Sequence, residues 1–173
     1  MTKLRLASKC NVDSIVDGPG LRTVIWTQGC PHHCKNCHNP QTHDVDGGFE
    51  MEIEELIAFI DQLHLQSGVT LSGGEPFLQA KALLPVVRHI KEKKMNIWAY
   101  SGYTYDELIK DSDKLELLKY VDVLVDGRFV DELKDYRLRF KGSKNQRIID
   151  VQASLKEGSV ILSHYDDENQ KID

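Results

Sequence analysis

Long apolar runs are missing from this 173-residue chain. No stretch approaches the roughly 20 apolar residues that a membrane-spanning helix needs. The opening Met1-Thr2-Lys3-Leu4-Arg5-Leu6 lacks the apolar core of a secretory signal, so the expected location is the cytoplasm. Excess positive charge is missing as well: the net charge of −5 offers no field for general nucleic-acid binding. Cysteine is scarce, with four in the chain. In a reducing compartment four cysteines point to metal binding ahead of a disulfide framework. No internal repeat or low-complexity tract appears. The remaining composition, 40% hydrophobic and 28% charged, fits one soluble globular domain over 1–173. Residues 1–11 and 163–173 are expected to be peripheral or frayed.

Three of the four cysteines lie within eight residues, in the run Gly29-Cys30-Pro31-His32-His33-Cys34-Lys35-Asn36-Cys37-His38-Asn39-Pro40. Three thiolates on one loop can each hold one iron of a cubane cluster and leave the fourth iron free of protein ligands. The same residues admit another reading, a structural zinc ion completed by His32, His33, His38 or His43. Zinc of that kind usually staples a small fold with little core. Cys10 stands apart, with no partner at ligand spacing, and is expected to be a free thiol.

The pattern around the loop is one of strands alternating with helices. Leu4 and Leu6 suggest a short edge strand, and Thr23-Val24-Ile25-Trp26-Thr27 a strand that runs into the cysteines. His43 to Glu50 is polar and predicts a loop. Ile53, Leu56, Ile57, Ile60 and Leu63 share one helical face. Val69-Thr70-Leu71 predicts a strand ending in Ser72-Gly73-Gly74-Glu75-Pro76. Leu83, Val87 and Ile90 predict a helix, with Pro85 marking a kink or a restart. Ile97-Trp98-Ala99-Tyr100 and Val121-Asp122-Val123-Leu124-Val125 are further strands. Between them Thr104 and Glu107 have capping-box spacing, with an interruption near Asp111-Ser112-Asp113. Arg147 to Val151 and Ser159 to Leu162 predict strands of undefined direction.

Apolar strands alternating with helices predict parallel βα units of the α/β class, and every Cys or Gly motif follows a strand. Ligands bind at that edge of such sheets. Trp26 and Trp98 are expected in the core, and His64 and His89 on solvated helix faces. Tyr100 and Tyr103 are divided between packing and cofactor contact. Lys134, Arg137, Arg139, Lys141, Lys144 and Arg147 form a basic segment, read either as a solvated loop or as a surface for a partner or cofactor.

The C-x-x-x-C-x-x-C loop and the Gly-Gly-Glu-Pro turn at this separation resemble the radical S-adenosylmethionine enzymes. Asp17-Gly18-Pro19-Gly20-Leu21-Arg22 and Cys37-His38-Asn39-Pro40 narrow the resemblance to activating enzymes of glycyl radical proteins. Trp98-Ala99-Tyr100-Ser101-Gly102-Tyr103, Val125-Asp126-Gly127-Arg128-Phe129 and Gly142-Ser143-Lys144-Asn145-Gln146-Arg147 resemble the activating proteins of anaerobic ribonucleoside-triphosphate reductases. The resemblance runs from about residue 12 to about residue 151.

It implies an incomplete parallel βα barrel with the cluster loop at the C-terminal edge of the strands. Cys30, Cys34 and Cys37 would ligate a 4Fe-4S cluster, whose open iron takes the amine and carboxylate of S-adenosylmethionine. One electron then splits the cofactor into methionine and a 5′-deoxyadenosyl radical, which removes hydrogen from a glycine of the partner reductase. Gly73, Gly74 and Glu75 match the turn that receives the methionine amine, and Asn36, Cys37 and His38 the stretch along the nucleoside. Asp126 and Arg128 match a segment reaching the ribose and carboxylate, with Arg128 where a lysine is usual. Asn36 stands where an aromatic residue is usual before the third cysteine. A reduced flavodoxin or ferredoxin is the implied electron donor. A homodimer is left open, as is another glycyl radical enzyme of the formate-lyase type as partner.

Overall fold

A computed structural model describes residues 3–166. Eight strands form one mixed sheet: β1 (Lys3–Leu6), β2 (Asn11–Ser14), β3 (Arg22–Thr27), β4 (Phe49–Glu52), β5 (Gly68–Gly73), β6 (Asn96–Tyr100), β7 (Val123–Asp126) and β8 (Arg147–Asp150). The order is β4-β1-β3-β5-β6-β7-β8, with β2 also paired to β3. The centre, β3-β5-β6-β7, is parallel, whereas β1, β2, β4 and β8 join antiparallel. Five helices complete the fold: α1 (Ile53–Asp61), α2 (Ala80–Glu92), α3 (Tyr105–Leu108), α4 (Ser112–Leu118) and α5 (Val151–Glu157).

The pleat explains how the sheet divides its work, because successive side chains point to opposite faces. On one face Ile25, Leu71, Ala99, Leu124 and Ile149 are consecutive partners across β3, β5, β6, β7 and β8. All five are fully buried, in one core with Leu56 and Ile60 of α1 and Leu83, Val87 and Ile90 of α2. Each large aliphatic there contributes roughly 1.5–3 kcal/mol relative to an exposed position. The opposite face carries Arg22, Thr70, Trp98 and, nearer the strand ends, Trp26, Ser72, Tyr100 and Val125. Phe140 and Tyr165 cover Trp98 there, at ring separations of 5.2 and 5.4 Å.

Several elements differ from expectation. β1 lies inside the sheet, between β4 and β3, and Leu4 and Leu6 are fully buried, so β1 is an interior strand that contributes to the core and not an edge. The edge belongs to β4, which falls at the end of the expected loop. Pro85 neither kinks off nor restarts α2, which runs unbroken through it. Its missing N–H removes only the donor to the Lys81 carbonyl on the solvent side. β8 is antiparallel, and 159–162 supplies a single bridge, Ile149 to Leu162. Residues 163–166 are packed: Asp166 is buried and accepts a hydrogen bond from the Ile148 amide (2.8 Å). The remainder of the expected frayed tail, 167–173, lies outside the described residues. His64 falls beyond the end of α1, exposed, and not on a helix.

Candidate cofactor site

The cysteine loop closes on itself at its base. The Gly29 amide donates to Thr42 O (2.8 Å), and the Cys30 amide donates to His43 O (3.1 Å). Buried Gln28 donates from Nε2 to Gln41 O and Asp44 O, which fixes the returning strand of the loop. His33 and Asn36 adopt positive φ, 50° and 55°, within the resulting tight winding. Cys30, Cys34 and Cys37 are half-buried free thiols that line one cavity of about 460 Å³. The Asn39 amide donates to Cys37 Sγ (3.4 Å). Burial pushes the Cys30 thiol up, and the neighbouring Glu75, Cys34 and Cys37 charges add to the shift.

The same strand edge supplies the turn after β5. Gly73, at φ 108°, lies so close to Thr27 that a Cβ would overlap its backbone; at Gly74 a Cβ would overlap the carbonyls of Gly29 and Thr42. The two glycines therefore let the turn nest against the base of the cysteine loop. Two backbone hydrogen bonds join the pair: the Gly74 amide donates to Thr27 O (2.9 Å) and the Glu75 amide to Gly29 O (2.8 Å).

Glu75 is fully buried and its carboxylate is surrounded by donors. It accepts from His32 Nε2 (2.7 Å), the Gly102 amide (2.8 Å), Ser101 Oγ (2.9 Å) and the Phe77 amide (3.0 Å). One side chain thus ties the loop after β3, the turn after β5 and the turn after β6. The His32 ring is 4% exposed and meets the edge of Tyr103 at 4.5 Å.

The other expected site residues are distributed differently. His38 lines the cavity and meets Phe129 edge-on at 4.9 Å. Asn36 donates to Asp131 Oδ2 (2.9 Å) on the outer side of the loop. Asp126 is buried and accepts from the Tyr105 amide (2.8 Å) and from Arg147 Nε (3.0 Å) and Nη2 (2.5 Å). Arg128 pairs with Glu107 on the surface, at 3.2 Å. Neither of the last two side chains lines the cavity, whereas the intervening Gly127 does.

Trp26, expected in the core, lines the cavity together with Tyr100, Ser72, Val125, Phe140 and Lys141. Trp98 is core, as expected. Most of the basic segment is locally paired: Lys134 with Asp131, Arg137 and Lys144 with Asp135, and Arg147 with Asp126. Lys141 differs, being 5% exposed, 3.6 Å from Asp166 and part of the cavity wall. The run of charges in the sequence hides it, because no pattern separates a buried lysine from its solvated neighbours. The sequence offers His32 only as a zinc ligand and Ser101 only within a motif, because Glu75, the partner of both, is far away in sequence.

The donor set can be tested against the two metals considered. Among the described residues, no three His, Cys, Asp or Glu side chains converge as one metal ion requires. A cubane asks for something else, each thiolate on a different iron. Three free thiols that line one cavity are compatible with that demand, and 460 Å³ falls in the range of small-molecule sites. The donor set fits a protein of the single-cluster iron–sulfur class.

Comparison with known proteins narrows the class. Residues 16–149 match a family described as a 4Fe-4S single cluster domain. An anaerobic ribonucleoside-triphosphate reductase-activating protein of Vibrio cholerae is 39% identical over 142 residues, covering 78% of this chain and 90% of that protein. The protein of that name from Haemophilus influenzae is 37% identical with the same coverage. The one from Escherichia coli is 36% identical over 140 residues, covering 76% of this chain and 90% of its own. QueE from Escherichia coli, a solved structure, overlaps 59% of this chain and 53% of its own at 19% identity and TM-score 0.48, too partial a likeness to bear on function. This chain belongs to the family of anaerobic ribonucleoside-triphosphate reductase-activating proteins.

Proposed function

We propose that this protein activates an anaerobic ribonucleoside-triphosphate reductase by creating a radical on one glycine of that partner. The observation that carries the reading is the set of three free thiols lining one cavity, within a chain of the activating-protein family. When bound, a reduced 4Fe-4S cluster supplies the electron that splits S-adenosylmethionine, releasing methionine and, after hydrogen transfer, 5′-deoxyadenosine.

The chain's own residues then have positioning roles. Cys30, Cys34 and Cys37 would hold the cluster, which would supply an iron free of protein ligands for the cofactor. The turn at Gly73 and Gly74 presents backbone to the methionine amine, with Glu75 fixing that turn from behind. His38, backed by Phe129, lies along the nucleoside, and Asn36 holds the loop's outer side through Asp131. Asp126 acts at one remove, gripping Arg147 and the start of α3, and Arg128 stays on the rim with Glu107.

The sheet is read as an incomplete βα barrel whose inner face bears Trp26, Ser72, Tyr100 and Val125. Its open side admits a peptide segment, and glycine suits the reaction because its Cα hydrogens are unshielded. Neither acid nor base is required. The reading places the protein in the cytoplasm, reduced by a flavodoxin or ferredoxin; among the described residues no helix is long and apolar enough to cross a membrane.

Isotope transfer tests this reading. Reductase carrying α-deuterated glycine, incubated anaerobically with reduced protein and S-adenosylmethionine, should place deuterium in 5′-deoxyadenosine. Unlabelled 5′-deoxyadenosine, formed at the rate seen without reductase, would contradict the assigned partner.

A further inference from the structure

The cysteine loop and the glycine turn come from different strands, and the site works only if the distance between them is held. At their base the two are joined by backbone bonds from Gly74 and Glu75. Farther out, toward the cavity, the side-chain connection is His32 to Glu75, 2.7 Å long with both groups almost wholly out of water. The Glu75 carboxylate accepts from the Phe77 amide, the Gly102 amide and the Ser101 hydroxyl, so the proton in the His32 contact sits on Nε2. His32 is also sterically fitted: a Cβ on Gly102 would overlap its ring, and Tyr103 packs against it edge-on.

We propose that His32 is a positioning residue. Through Glu75 it sets the cysteine loop against the turns after β5 and β6, and so sets how tightly S-adenosylmethionine is held once the cluster is in place. It is not proposed as an iron ligand. The base of the loop is closed by the Gly29 and Cys30 amides without it, so cluster loading should survive its loss. The inference rests on the cofactor reading above and concerns orientation, with no proton transfer.

The test uses anaerobically reconstituted protein and three variants, His32→Ala, His32→Leu and His32→Gln. Leucine fills space without a donor, and glutamine returns an N–H near the position of Nε2. Iron and sulfide content should match the unaltered protein in all three. S-Adenosylmethionine binding, measured by equilibrium dialysis, should weaken about tenfold or more in the alanine and leucine variants, the scale of a lost hydrogen bond to a charged group. The glutamine variant should recover most of the affinity. The change that S-adenosylmethionine produces in the reduced cluster's electron paramagnetic resonance spectrum should follow the same order. Equal affinity in all four proteins would overturn the inference, as would loss of the cluster from a folded His32→Leu variant, or a glutamine variant as weak as alanine. If the unaltered protein fails to bind S-adenosylmethionine, the cofactor reading itself fails, a result distinct from any of these.

Discussion

The cavity has two walls built on different principles. On one side the loops after β3, β5 and β6 are joined by buried bonds to Glu75, and Gly73 and Gly74 of the middle turn press directly on neighbouring backbone. On the other side, from Gly127 to Gln146, part-buried hydrogen bonds centred on Gln146 and Ser143 and the buried Lys141–Asp166 pair are accompanied by surface ion pairs: Arg128 with Glu107, Arg137 with Asp135, Lys144 with Asp135. A buried hydrogen-bonded carboxylate is costly to disturb, whereas exposed pairs contribute little and are screened by salt. The first wall is held around one buried carboxylate, whereas the exposed charges of the second, Arg128, Arg137 and Lys144, lie outside the cavity lining. This division predicts how far each kind of change will reach.

The largest effect belongs to the thiols. Serine at Cys30, Cys34 or Cys37 should abolish brown colour, bound iron and 5′-deoxyadenosine formation together. Serine at Cys10 should leave all three intact, and iron analysis of the four variants decides this. Next come the glycines. Gly74→Ala would drive a methyl group into the carbonyls of Gly29 and Thr42 and should destabilise the fold by about 1–3 kcal/mol while impairing cluster loading. Gly142→Ala, on the second wall, would meet side chains alone, the Phe129 ring closely and Gln146 Oε1 at ordinary contact, and should leave cluster loading intact. Thermal melts with iron counts compare the two, and equal damage would erase the proposed difference between the walls.

A smaller effect concerns pH. Burial raises the Cys10 thiol from an ordinary value of 9.0 to about 11. The folded state therefore keeps this proton longer than the unfolded chain does. The stabilisation is complete below about pH 9 and disappears as pH rises through about 11. Cys10→Ala should flatten the loss of stability across that interval, measured by urea unfolding at several pH values. The smallest change is expected from glutamate at Arg137 and Lys144, side chains 87% and 61% exposed. The melting temperature and S-adenosylmethionine cleavage should hold, while activation of the reductase slows a few-fold, more at low salt than at high.

The sequence was most legible where chemistry and local pattern coincide. The parallel centre could be seen in the apolar runs at Val24, Val69, Ile97 and Val123, because strands buried on both faces carry little polar alternation. The capping box at Thr104 and Glu107, and the interruption near Asp111-Ser112-Asp113, were local signals and are present, the latter with Asp111 capping a second helix. β4 was hidden because Phe49–Glu52 is an edge strand, with Glu50 and Glu52 answering Lys3 at 3.6 and 3.7 Å. The interior place of β1 depends on pairing with strands far along the chain, which a short pattern cannot encode. In the site, the thiols and glycines announced themselves by spacing. His32, Ser101 and Lys141 did not, since their partners Glu75 and Asp166 are brought close only by the fold.

The central claim is that the three-thiol cavity serves radical formation on a glycine of the reductase. Its most direct test is electron paramagnetic resonance on reduced protein, S-adenosylmethionine and anaerobic ribonucleoside-triphosphate reductase mixed without oxygen. A glycyl doublet on the reductase, absent when Cys30, Cys34 or Cys37 is serine and present when Cys10 is serine, is the predicted result. Cleavage of S-adenosylmethionine with no protein radical would contradict it.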